Sequence, residues 1–145
     1  MLKKLIEQTQ WANARWIAFV YDRALEDRPR RLVAHLLLAE RAWFDRLDGR
    51  EPGPLLFALL SRDELERMQE AHRARYAEIL AGDLNRTIEY RRFNGERHAS
   101  PVSDILLHLV THAFHHRGQL SSYYAEQGVA CPRTDFIQYC RAPEA

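Results

Sequence analysis

Lysine is almost missing from this sequence. Lys3 and Lys4 are the only two among its 21 basic side chains, and the rest are arginines. Twenty acidic residues leave a net charge of +1. The two signs interleave, as in RDELERMQEAHRARYAE, in the manner of solvated helix faces. A balance of this kind gives no ground for nucleic acid or an anionic membrane as a partner. Cysteine is scarce as well. Cys131 and Cys140 are too few for a disulfide framework and match no zinc-site spacing, so free thiols in a reducing cytoplasm are expected. No apolar run approaches the length that crosses a bilayer. The opening MLKKLIEQTQWANARW has an interrupted apolar pattern in place of a signal-peptide core. These absences lead to the expectation of a cytoplasmic protein without a membrane or nucleic-acid partner.

What is present suits one ordinary globular domain spanning residues 1–145. The apolar fraction is 46% and the charged fraction 28%, and 145 residues are enough to bury a real core. Leu2 to about Leu25 reads as an amphipathic helix, with Leu5, Ala12, Trp16, Phe19 and Val20 at helical spacing. A second helix is expected from about Arg30 to Leu47, with Pro29 in its first turn and Asp48-Gly49 at its end. Leu32, His35, Leu36, Ala39, Trp43 and Leu47 form its apolar stripe. After the Gly- and Pro-rich loop GREPGPLLF, a third helix runs from Ser61 to Gly82. Ser61 and Glu64 have the spacing of a capping box. His72, flanked by charge, is placed near its solvent face. TIEYRRFNGERH breaks the helical pattern: Thr87, Ile88, Tyr90 and Phe93 favour strand, and Asn94-Gly95 favours a turn. A short hairpin or extended crossover is expected there, with His98 in an exposed loop. Ser100-Pro101 then opens a last long helix, capped by Ser100 or Ser103, that runs to about Gln127. The tail shows too little pattern for a helix, and its Phe136, Ile137 and Tyr139 suggest packing against the body. Four long helices with one long connection predict an all-α four-helix bundle.

The chemistry concentrates in HLVTHAFHHRGQ, residues 108–119, which holds four of the seven histidines. His108, His112 and His116 recur every fourth residue and share one helix face. His115 points about 100° away from His116. Ile105, Leu106, Leu107, Leu109, Val110 and Leu120 place that face toward an interior. Imidazoles clustered there need either complete hydrogen bonding or a metal ion. Ligands at i and i+4 can reach one ion, and a third commonly comes from a facing helix. His35 is the natural third ligand, as the only other histidine on an apolar stripe. His112 with His116, or His108 with His112, supplies the pair, and spacing does not choose between them. Gln119 could orient a ligand or sit as a polar residue at a helix interface. There is no H-E-x-x-H, so a metalloprotease finds no support.

Glu40 is directed about 140° from His35. It reads as a surface residue or one supporting a ligand from behind, and no general base is assigned. Trp16 and Trp43 read as core anchors, and Tyr123 as a core tyrosine that could also line the pocket. Arg117 reads as a packing or surface ion-pair residue that could also meet an anionic substrate.

Read together, these stretches resemble the DinB/YfiT-like family of helical-bundle proteins across nearly the whole chain. QWANARW at 10–16 resembles the family's first-helix signature. AHLLLAERAWFDRLDG at 34–49 resembles its second helix. The strand-like connection and the H-x-x-x-H-R-G-Q element follow in the same order, and the tail with Pro132, Asp135, Phe136 and Tyr139 is similar too. The resemblance implies a metal triad of His35, His112 and His116, with His108 as a pocket neighbour. It implies a divalent transition metal, nickel or zinc foremost and iron or manganese as further options, with positions open to water. It also implies an up-down-down-up helix order and a homodimer.

Three neutral histidines on a divalent ion leave room for water or a thiolate. The superfamily that the chain resembles includes S-transferases and an isomerase that use low-molecular-weight thiols such as bacillithiol or mycothiol. The functional expectation is a metal-dependent enzyme acting on a small molecule by thiol transfer or hydrolysis. The competing expectations are a non-catalytic, metal-stabilised or ligand-binding bundle, and a decayed site that binds nothing.

Overall fold

The computed structural model describes residues 1–23 and 26–141 and is predominantly helical. Helix α1 spans Leu2–Arg23, α2 Asp27–Leu47, α3 Arg62–Ala81, α4 Val102–Ala125 and α5 Phe136–Arg141. A two-stranded antiparallel sheet, β1 (Thr87–Arg91) and β2 (Arg97–Pro101), separates α3 from α4. The expected end of the first helix near Leu25 lies outside the described residues.

Local sequence explains the boundaries. α2 begins three residues before the expected Arg30, because Pro29 in its first turn gives up an N–H that has no partner there anyway. At its other end Gly49 takes φ +73°, so that Gly49 N–H donates to Arg46 O at 3.0 Å and Arg50 N–H to Asp45 O at 2.8 Å. The capping box of α3 is complete. Ser61 Oγ accepts from Glu64 N–H at 3.2 Å, and Glu64 Oε2 accepts from Ser61 N–H at 2.7 Å. Of the two readings of TIEYRRFNGERH, the structure has the hairpin: Ile88 pairs with Ser100 and Tyr90 with His98, with Gly95 at φ +88° in the turn. His98 is exposed as expected, but on strand β2 instead of a loop.

Neither serine caps α4. Pro101 is its N-cap, and the first-turn donors Val102 N–H and Ser103 N–H go to Arg86 O and Leu84 O, both at 2.9 Å. Ser100 Oγ instead meets Tyr90 Oη at 3.0 Å. Backbone carbonyls from the approach to β1 thus do the work expected of a side chain. The tail forms the short α5, which the sequence pattern did not reveal. It returns to α1 through Gln8 Nε2 donating to Thr134 O at 2.6 Å and Trp16 Nε1 donating to Thr134 Oγ1 at 3.0 Å. Tyr139 packs edge-on to Trp11, whereas Ile137 stays exposed.

α2 packs against α1, α3 and α4, and α1 packs against α3 and α4. Their interior holds two apolar clusters. One gathers Ile6, Phe44, Tyr76, Ile88 and Leu106 toward the hairpin. The other gathers Trp16, Val20, Leu37, Leu65 and Leu120. In each long helix a buried polar residue falls, in sequence, between its contributions to the two clusters: Asn13, Glu40, His72 and Arg117. Two expectations are corrected here. His72 is buried, since its neighbours Leu65 and Tyr76 share its helix face and carry it inward. Glu40 is buried as well, its Oε1 3.7 Å from His72 Nδ1. Burial and the Glu40 carboxylate hold the Tyr76 hydroxyl pKa well above its ordinary value. Among the described residues, no helix is long and apolar enough to cross a membrane.

Candidate metal centre

His35 leaves the buried face of α2, while His112 and His116 lie one turn apart on α4, the helix packed against it. The three Nε2 atoms form a nearly equilateral triangle. His35 lies 3.2 Å from His112 and 3.1 Å from His116, and His112 lies 3.1 Å from His116. Among the described residues this is the one cluster of three or more His, Cys, Asp or Glu ligand atoms close enough to share an ion.

The remaining ring nitrogens decide what the triangle offers. His35 Nδ1 lies 2.8 Å from Leu56 O, and His116 Nδ1 lies 2.7 Å from Gln119 Oε1. Both partners only accept, so each Nδ1 carries the proton and donates it. In the neutral rings, Nε2 of His35 and Nε2 of His116 are then bare lone pairs facing each other at 3.1 Å. His112 has one Nε2 proton at most and can satisfy only one of them. A divalent ion satisfies all three.

The spacing fits. Bonds of about 2.0–2.1 Å put ligand nitrogens about 3.3 Å apart in a tetrahedron and about 2.9 Å apart in an octahedron, and the observed separations fall between. Electrostatics favour the neutral ligand form. Burial, followed by the neighbouring imidazoles His116 and His35, lowers the His112 pKa to about 3. Burial also lowers that of His35, against the opposing Leu56 hydrogen bond.

His35 is buried, whereas His112 and His116 are half-buried. Phe57 stacks face to face on His35, with centroids 3.8 Å apart and planes 7° from parallel, and is itself half exposed. Leu56 and Phe57 come from the loop between α2 and α3. Their roles had no local signal in the sequence beyond an apolar run in a Gly/Pro-rich loop.

Gln119 takes the orienting role considered for it. Of the rival pair, His108 stands outside the triangle, with its ring 5.6 Å from that of His112. His115 is exposed. Glu40 lies beside His72 and not among the triad. Arg117 is buried, donating to Asn13 Oδ1 at 2.8 Å, and belongs to the polar layer instead of a surface ion pair. Trp43 is only half-buried and packs edge-on to His108, so it is a wall residue more than a core anchor. Tyr123 is also half-buried, packed against the second apolar cluster.

A mainly helical chain that converges three imidazoles from two helices defines a class of helical proteins with a histidine site fit for a divalent ion. The sequence matches the DinB family over residues 28–144, and the chain belongs to that family. A comparison with curated proteins finds no match.

Proposed function

We propose that this protein is a metal-dependent enzyme in which His35, His112 and His116 hold a divalent transition ion, nickel or zinc foremost. One observation carries the reading: three Nε2 atoms converge, and on two of the rings a hydrogen bond at Nδ1 commits the inward nitrogen to a lone pair. A bound ion would supply Lewis acidity, lowering the pKa of a water or thiol near neutral pH. The chain's own residues do the rest. Leu56 O and Gln119 fix two ring tautomers, Phe57 shields one flank of His35, and the half-buried His112 and His116 leave a side open to a small molecule.

No carboxylate belongs to the triad cluster among the described residues, so the reading assigns no carboxylate base. That favours a reaction driven by an acidified nucleophile, namely thiol transfer from a low-molecular-weight thiol or hydrolysis. The accompanying architecture is a single-domain four-helix bundle in up-down-down-up order, acting as a cytoplasmic homodimer.

The test is metal content of untagged protein by plasma mass spectrometry, beside His112→Ala. About one equivalent of metal, lost in the variant, supports the site and directs a screen of thiol-transfer and hydrolysis substrates. Protein that stays metal-free after reconstitution with nickel and zinc overturns it.

A further inference from the structure

Arg46, on the last turn of α2, is an unusual cation. It is only 9% exposed, and among the described residues no carboxylate lies within ion-pair distance of it. Its Nε has no hydrogen-bond partner. What surrounds it is aromatic: the guanidinium carbon lies 4.5 Å from the ring centre of Trp43, 5.6 Å from Tyr90 and 5.2 Å from Phe93. Cation–π attraction offsets part of the cost of burying this charge, but it leaves the planar hydrogen-bonding fork unused.

Arg46 lines a cavity of about 720 Å³ between α2, the hairpin and the start of α4. Trp43, Tyr90 and Phe93 line the same cavity, and so does His108, whose ring is 5.5 Å from Trp43 and 5.6 Å from the triad residue His112. Arg46 also acts on His108 electrostatically, helping burial to keep that imidazole neutral. The cavity wall therefore runs from an unpaired guanidinium, past aromatic rings, to within one helical turn of the triad. The other cation on the lining, Arg92, is already engaged by Glu96 at 3.0 Å. Asp104 adds one negative charge to the lining.

We propose that this cavity is a binding site for a planar monocarboxylate, its carboxylate held by the Arg46 fork and its body lying against Trp43 and Tyr90. A carboxylate matches the guanidinium fork through two parallel hydrogen bonds. One unpaired guanidinium, with the Asp104 carboxylate also on the lining, suits a monoanion over a phosphate dianion. Aromatic lining suits a flat, partly apolar body. Treating this ligand as the enzyme's substrate rests on the three-histidine reading, but its binding does not require the ion.

The test uses benzoate as the probe, with benzamide as its neutral counterpart of the same shape. The readout is the Trp43 indole N–H signal in ¹H–¹⁵N spectra of the full chain, assigned with Trp43→Phe. The expected result is saturable movement with benzoate and binding weaker by roughly tenfold or more for benzamide, for inorganic phosphate and for Arg46→Gln. Metal-free and zinc-loaded wild-type protein bind benzoate alike. Equal response to benzoate and benzamide, or none to either, overturns the proposal, and this contrast needs no variant if Arg46→Gln fails to fold. Phosphate binding as tightly as benzoate overturns the carboxylate assignment. Benzoate binding that appears only in the zinc-loaded protein overturns the assignment to Arg46 and puts the anion on the ion instead.

Discussion

Gln119 Oε1 accepts the Nδ1 proton of His116 at 2.7 Å, across a single turn of α4. That bond holds the His116 ring in the tautomer whose Nε2 faces His35 and His112. Residues that fix a ligand in this way commonly account for tenfold or more in metal affinity. Gln119→Leu keeps a similar size and helix propensity but cannot accept the proton. Its affinity for zinc or nickel, measured by competition with a chromophoric chelator, is expected to fall roughly tenfold. Gln119→Glu retains an acceptor and should stay close to the wild type. Equal affinities in all three proteins would show that the hydrogen bond does not orient the site.

The same triangle makes the metal-free protein sensitive to acid. His112 has its pKa lowered from 6.5 to about 3, chiefly by burial, while its unfolded value stays near 6.5. Between those limits the unfolded chain binds the extra proton, so stability rises with pH. This contribution is complete above about pH 6.5 and is lost as the pH falls toward 3. His35 and His108, also lowered, act in the same direction. The exposed carboxylates Glu64 and Glu96 are held below their ordinary 4.5 by hydrogen bonds, so their effect belongs to more acidic solutions. Urea midpoints of metal-free protein should therefore drop from pH 7 to pH 5, and less steeply in His112→Asn. Identical slopes would place the acid sensitivity elsewhere.

The difference between what sequence could and could not reveal here follows the range of the interactions. The capping box of Ser61 and Glu64, the Asn94-Gly95 turn and the stop at Gly49 are local, and residue type alone specifies them. The i, i+4 pair of His112 and His116 is local as well, but pairing it with His35 depends on how α2 meets α4. Spacing alone left His108 and His112 as a rival pair, and the family resemblance favoured His112 with His116. The Leu56 carbonyl and the Phe57 ring reach His35 because of a loop path that no periodicity encodes. His72 and Glu40 were misplaced for a related reason. His72 was placed by the charge around it and Glu40 by its angle from His35, yet each faces a polar layer that exists only when all four long helices are assembled.

Arg117 is the cation of that layer. Burial lowers its pKa to about 10, with Glu40 opposing the shift, so it remains charged at neutral pH. It donates to Asn13 Oδ1, and its Nη2 has no partner. Arg117→Met keeps much of the volume and removes the charge, leaving Asn13 unpaired and Glu40 without its compensating field. The expected cost is about 3 kcal/mol, read as a lower urea midpoint at unchanged slope. Adding Glu40→Gln should cost less in the Arg117→Met background than in the wild type, because the two charges support each other. Strict additivity would argue that they do not.

Phe57 covers one face of His35 yet is itself half exposed, so its packing adds little to global stability. Its effect should appear in exchange kinetics. Stacked at 3.8 Å, the ring blocks water and chelators from that flank of His35 and restricts the imidazole to the orientation set by Leu56 O. Phe57→Ala removes both constraints without touching any of the three nitrogens. Metal transfer to an excess of chromophoric chelator is expected to be several-fold faster in Phe57→Ala, while the thermal midpoint of the metal-free protein moves by only a few degrees. Phe57→Leu, which covers the flank without stacking, should fall between them. If transfer is no faster in Phe57→Ala, the ion exchanges through the half-buried His112 and His116 side, and the loop that carries Phe57 serves His35 only through the Leu56 carbonyl.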